Sequence, residues 1–185
     1  RIPETINKQV GDNINLTAIA NLSSTMKLFL NGTEIQTASG VTTISANPTL
    51  TTPGNQTIRV DAINGATTKS ESFQFFVASA PTVAPLPPGV RDGINYEAGN
   101  TSVVLVLYAP GKNRVSVIGE FPGSNWAEQT NYVMNKTPDG NYWWLRITGL
   151  TPGTEYAFQY LVDGTLKVGD PYAEKILDPF NDSFI

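Results

Sequence analysis

The sequence predicts an all-β protein, two immunoglobulin-like β-sandwiches joined by a proline-rich linker. Three observations point to this. Short apolar runs alternate with period two between glycine, proline and asparagine turns, and no apolar set keeps helical spacing over three turns. Residues 78–88, ASAPTVAPLPP, hold four of the 13 prolines and no charge. Proline fixes φ and extends the chain, so this stretch reads as a semi-rigid spacer. The predicted limits are 1–79 for the first sandwich, 80–88 for the linker, 89–175 for the second sandwich and 176–185 for a connection leading onward.

In the first part the alternating sets are Ile14, Leu16, Ala18; Met26, Leu28, Leu30; Ile58, Val60, Ala62; and Phe73, Phe75, Val77. Side chains two apart share a sheet face, so each set lies on one face of a strand. Asn31-Gly32, Gly40, Pro53-Gly54 and Asn64-Gly65 supply the turns between them. The cysteine pair and tryptophan of antibody domains are absent, so only the architecture is assigned. In the second part Val103 to Leu107 is nearly continuous apolar chain, which predicts a strand covered on both faces. Strands follow at Arg114 to Val117, Tyr142 to Thr148 and Glu155 to Val162, the last closing on an Asp163-Gly164 turn. About seven strands are expected there.

Composition excludes much chemistry. A chain of 185 residues that is 40% hydrophobic has the material for a core. With no Cys and no His it forms no disulfide, no thiolate or imidazole metal site and no Ser-His-Asp or Cys-His catalytic group. No cofactor is expected. The net charge of -4 and the lack of a basic stripe argue against nucleic acid, which needs clustered Lys and Arg. No apolar run approaches the length that crosses a bilayer. Freedom from cysteine suits an exported bacterial protein, periplasmic, cell-surface or extracellular. The chain opens at Arg1 and closes on DPYAEKILDPFNDSFI, which reads as a piece of something longer. Asp139, Asp163 and Glu155 stand in PDGN, VDGT and PGTE, where carboxylates serve turn amides more often than catalysis. Asp178, Asn181 and Asp182 are spaced too loosely for a calcium loop.

The aromatic residues are more informative. All 3 Trp and all 7 Tyr lie beyond residue 88, so the second part is the binding candidate. Aromatic faces fit the C–H faces of a pyranose while neighbouring amides bond its hydroxyls. Parity divides this strand into two sets: if Trp143, Leu145 and Ile147 face the core, Tyr142, Trp144 and Arg146 point to the other face, and only one set can be buried between the sheets. Tyr142 and Trp144 are therefore either packing residues or a ligand platform. Trp126 stands in a loop, where binding side chains concentrate.

Three ordered segments, VSVIGEFPGSNW (115–126), DGNYWWLRITGLTPGTEYAFQYLVDG (139–164) and GDPYAEKILDP (169–179), resemble the N-terminal β-sandwich of starch- and glycogen-acting enzymes. This is the isoamylase N-terminal or carbohydrate-binding module 48 type, an E-set domain related to glycogen-binding domains. The resemblance covers residues 88–185 and implies a module preceding the catalytic barrel of a glycoside hydrolase family 13 (α-amylase-type) enzyme. It further implies that residues 176–185 lead toward that missing domain and that the chain itself is not an enzyme. The implied partners are α-glucan and the parent's own barrel. Trp126 matches the tryptophan ending the G-x-F-x-x-W motif, with two extra residues before it. Gln159 stands where glycogen-binding relatives carry a sugar-bonding lysine. Leu166 replaces their second stacking tryptophan, and Asn181 matches a sugar-bonding asparagine. The alternative is an adhesin-like or protein-interaction pair of sandwiches with no sugar binding.

Overall fold

The computed structural model describes residues 6–176. The chain divides between Ala80 and Pro81 into two compact units, and its regular structure is almost entirely strand.

The first unit contains β1 (Lys8–Gln9), β2 (Leu16–Leu30), β3 (Thr33–Ala46), β4 (Gly54–Asn64) and β5 (Thr67–Ala78). They form one ladder in the order β1-β5-β4-β2-β3, with β1 parallel to β5. The alternating sets converge as expected. Ile14, Leu16, Met26, Leu28, Ile58, Phe75 and Val77 are buried together, with Ala18, Leu30, Val60, Ala62 and Phe73 packed against them. Asn31 (φ 52) and Gly32 (φ 83) make the two-residue β2–β3 turn, whose left-handed geometry matches the strand twist.

Two features differ from expectation. Gly40 is not a turn between strands: it lies inside β3 at φ 70, where the β2–β3 register shifts. Strand β3 escaped the periodicity because it is the sheet edge and is largely exposed on both faces, so no alternation was imposed on it. Among the described residues the layers also arise without a second hydrogen-bonded sheet. Register shifts between Ile19 and Met26 divide the β2–β3 hairpin into two arms, and β4 pairs only with the arm beyond Ser24. Leu16 and Ile44 from one arm, and Met26 and Leu28 from the other, enter the same core. Bulges of this kind let one strand serve two layers.

Among the described residues the second unit has seven strands: β6 (Gly93–Tyr96), β7 (Ser102–Tyr108), β8 (Val115–Gly119), β9 (Asn135–Lys136), β10 (Tyr142–Thr148), β11 (Phe158–Val162) and β12 (Leu166–Val168). A sheet β6-β7-β10-β9 faces a sheet β12-β11-β8 across a core containing Leu105, Val117, Trp143, Leu145 and Tyr160. Val103 to Leu107 are all buried, so β7 is covered on both faces. The proline-rich residues read as a spacer belong in part to this unit. The Lys136 N–H donates to Thr82 O (2.8 Å), the Ala84 N–H donates to Lys136 O (2.9 Å), and the Trp144 indole N–H donates to Ala84 O (3.1 Å). Proline spares the segment a donor it would have to satisfy, while the donors and carbonyls that remain lengthen the sheet beside β9.

Candidate functional site

The loop after β8 carries the exposed tryptophan, and it is pinned at both ends. The backbone N–H of Gly119 donates to the hydroxyl of the buried Ser124 (3.1 Å), and the N–H of Trp126 donates back to Gly119 O (3.1 Å). Further along, Glu128 accepts from Arg114 Nε (2.8 Å) and Nη2 (3.3 Å) and from the Ser116 hydroxyl (2.6 Å). Phe121 anchors the loop's start, stacked between Tyr132 and Tyr156. Trp126 itself is 42% exposed at φ 58, after Asn125 at φ 46. Asparagine tolerates the left-handed region, but a bulky aromatic there costs about 1–2 kcal/mol. The fixed loop holds that conformation and turns an apolar ring to solvent.

The backbone register brings Gln159 to the same end of this sheet. Gly119, which holds the Trp126 N–H, pairs with Phe158, and Ile118 pairs with Gln159. Gln159 is half-buried, and its parity is opposite to that of Tyr160 and Val162, which enter the core. Among the described residues its side-chain amide makes no hydrogen bond, which leaves both donor and acceptor for a ligand. Leu166 is 56% exposed and pairs with Val162, three residues or about 10 Å along β11 from Gln159. Asn181 lies outside the described residues.

Tyr142 and Trp144 stand elsewhere, grouped as parity requires, and the packing of Trp143, Leu145 and Ile147 into the core leaves them on the outer face of the four-stranded sheet. Trp144 is half-buried with its N–H used by Ala84, and Tyr142 meets Tyr108 edge-on at 5.1 Å. They do not join Trp126. Sequence reasoning missed the pinning residues Ser124, Glu128 and Arg114, whose contacts are between separate strands and loops and leave no local pattern.

The acids that motifs placed in turns have structural work. Asp139 accepts from Thr137 and Asn141, Asp163 from the N–H groups of Asn113 and Arg114, and Glu155 pairs with Lys175. Among the described residues no group of acids could hold a metal. The Thr137 hydroxyl and Asn141 amide donors hold the Asp139 carboxyl below its ordinary 3.8, and the Ser102 hydroxyl, with Arg146, holds Glu97 below 4.5. A depressed folded-state value adds stability above the ordinary value, and this is lost as pH falls through the depressed one. Because the chain has no histidine, the urea midpoint of the second unit should stay level from about pH 5.5 to 8 and decline below about pH 4. An Asp139→Asn, Glu97→Gln variant should decline less steeply; an unchanged slope would remove these acids as the cause.

Residues 93–180 match the family described as carbohydrate-binding module 48 (isoamylase N-terminal domain), the family whose motifs the sequence resembles. No curated protein matches the chain. Among solved structures it is similar to the GBS pullulanase SAP in complex with maltotetraose, at 13% identity and TM-score 0.36 over 94% of this chain and 24% of that one. It is also similar to the Group B Streptococcus pullulanase SAP, at 16% identity and TM-score 0.33 over 88% of this chain and 24% of that one. The chain therefore spans about a quarter of the length of those proteins.

Proposed function

We propose that this chain, whose residues 93–180 match the carbohydrate-binding module 48 family, is the noncatalytic front of an exported enzyme acting on α-glucans such as starch or glycogen. In this reading the second unit holds glucan through Trp126, Gln159 and Asn181. The observation that carries it is the exposed Trp126 ring, fixed on a pinned loop at the end of the sheet that also bears Gln159. A rigid aromatic face loses little entropy on stacking against a sugar, and an amide on the rim gives it direction. Raising the local concentration of substrate is what such a module supplies to a catalytic barrel on the same chain.

Titration of maltoheptaose into the chain, followed by tryptophan fluorescence and calorimetry, tests this. Trp126→Ala should weaken binding by about tenfold or more, the effect of losing a central aromatic contact. Gln159→Ala should weaken it by about two- to tenfold, the worth of a neutral hydrogen bond. Saturable binding untouched by both substitutions would remove these residues from the site. No binding at millimolar sugar would leave the module to orient the parent's barrel, or the pair of units to bind protein through an edge such as the largely exposed β3.

A further inference from the structure

A second group of exposed aromatic side chains lies away from Trp126, at β6, the outer strand of the other sheet. An open cleft of about 570 Å³ is lined there by Arg91, Asp92, Ile94, Tyr96, Tyr172 and Glu174. Tyr96 is 64% and Tyr172 56% exposed, so both rings offer apolar area to solvent.

The cleft is built from fixed parts. The Tyr172 N–H donates to Asp170 Oδ1 (2.8 Å), and Asp170 is buried and accepts the Tyr160 hydroxyl from the core (2.9 Å). The Tyr172 hydroxyl donates to Asp92 Oδ2 (3.2 Å). Its Cβ rests on Gly93, where an added side chain would come within 2.5 Å of it and the backbone has φ 85. Only glycine seats the tyrosine so closely. On the other side Asn95 clamps the turn that bears Arg91 and Asp92. Its Oδ1 accepts the Arg91 N–H (2.9 Å) and its Nδ2 donates to Arg91 O (2.7 Å) and Val104 O (3.1 Å).

We propose that this cleft is a second carbohydrate site, taking a pyranose unit of a neutral oligosaccharide against Tyr96 and Tyr172. Two tyrosine faces supply the apolar contact, while Arg91, Asp92 and Glu174 bring both donors and acceptors to the rim. Among the described residues the side chains of Arg91 and Glu174 form no ion pair, so they are available to hydroxyls. Two carboxylates disfavour phosphate or an acidic glycan, and the guanidinium disfavours a cation between the rings. An uncharged polyhydroxylated ring meets neither penalty. The assignment follows from the cleft's own chemistry and stands apart from the Trp126 reading.

The test is amide chemical-shift mapping of the ¹⁵N-labelled chain with maltoheptaose and, separately, cellohexaose. Support requires saturable shifts at Gly93, Tyr96, Tyr172 and Glu174 with at least one sugar, kept in Trp126→Ala and weakened about tenfold or more in Tyr96→Ala. Tyr96 is exposed, so its replacement leaves the fold intact; Tyr172→Ala, checked for an unchanged spectrum elsewhere, is the second probe. Shifts confined to the Trp126 loop, or none with either sugar, overturn the second site. Shifts at the cleft alone overturn the Trp126 site and leave this one standing.

Discussion

Glu128→Ala is expected to destabilise the second unit by about 3–5 kcal/mol, the cost of removing one partner from a buried ion pair. Arg114 and Glu128 side chains are each only 9% exposed, and the Glu128 carboxylate also accepts a hydrogen bond from the hydroxyl of Ser116, a residue with 0% exposure. Alanine leaves a guanidinium and a hydroxyl without that acceptor in a site water reaches poorly. All three tryptophans lie in this unit, so their fluorescence during urea denaturation reports on it alone. A loss under about 1 kcal/mol would mean that water enters the pair freely and that it behaves like a surface contact. Replacing both partners together, Arg114→Met with Glu128→Leu, should recover much of the loss, since no unpaired charge remains. The same substitution carries the effect to function. Glu128 ties down the far end of the Trp126 loop, so, if Trp126 holds glucan as proposed, maltoheptaose should bind more weakly to Glu128→Ala under conditions where that variant remains folded.

Trp143→Ala should cost a similar amount, about 3–5 kcal/mol, through a cavity. The indole is 0% exposed, donates to Ala109 O at 3.0 Å and lies under the Lys136 ammonium, 5.1 Å from the ring centroid. A domain of this size has only about 5–15 kcal/mol in total, so one substitution removes a large share, and the melting temperature should drop by more than about 12 °C. Trp144→Ala is the internal comparison. Its ring is half-buried beneath Ala84, and its loss should cost about 1–2 kcal/mol, nearer the ordinary range for a single substitution. If Trp144→Ala proved the more damaging, the inward and outward faces of β10 would be exchanged.

These two positions show where local reading succeeds and where it stops. That Trp143 and Trp144 take opposite faces was legible because period two is a property of the extended backbone, and Leu145 and Ile147 continue the parity of Trp143; which face is buried was settled by the tertiary packing. The same logic found the buried sets of the first unit and the Asn31-Gly32 hairpin. It failed at β3, whose Thr- and Ser-rich faces are both largely exposed, and at Gly40, a bulge inside a strand that has the sequence signature of a turn. The proline-rich segment was also opaque. Its composition describes an extended chain, but whether such a chain stands free or joins a sheet depends on a partner strand distant in sequence, here Lys136.

For the site, sequence alone determined that the chain lacks thiol and imidazole chemistry, that its tryptophans and tyrosines belong to the second unit, and that Trp126 stands in a loop. Those conclusions depend on residue type and local spacing, which need no long-range contact. Only the tertiary structure decided that Trp126 and Gln159 reach the same end of one sheet while Tyr142 and Trp144 occupy the other. It alone joined Tyr96 to Tyr172, 76 residues apart in numbering, across one cleft. Such pairings are made by strand register and by buried contacts such as Arg114 with Glu128 and Asp170 with Tyr160. Apolar burial drives the register and a low local dielectric strengthens the polar pairs, both between positions that are not sequence neighbours, so no local pattern of residues records them.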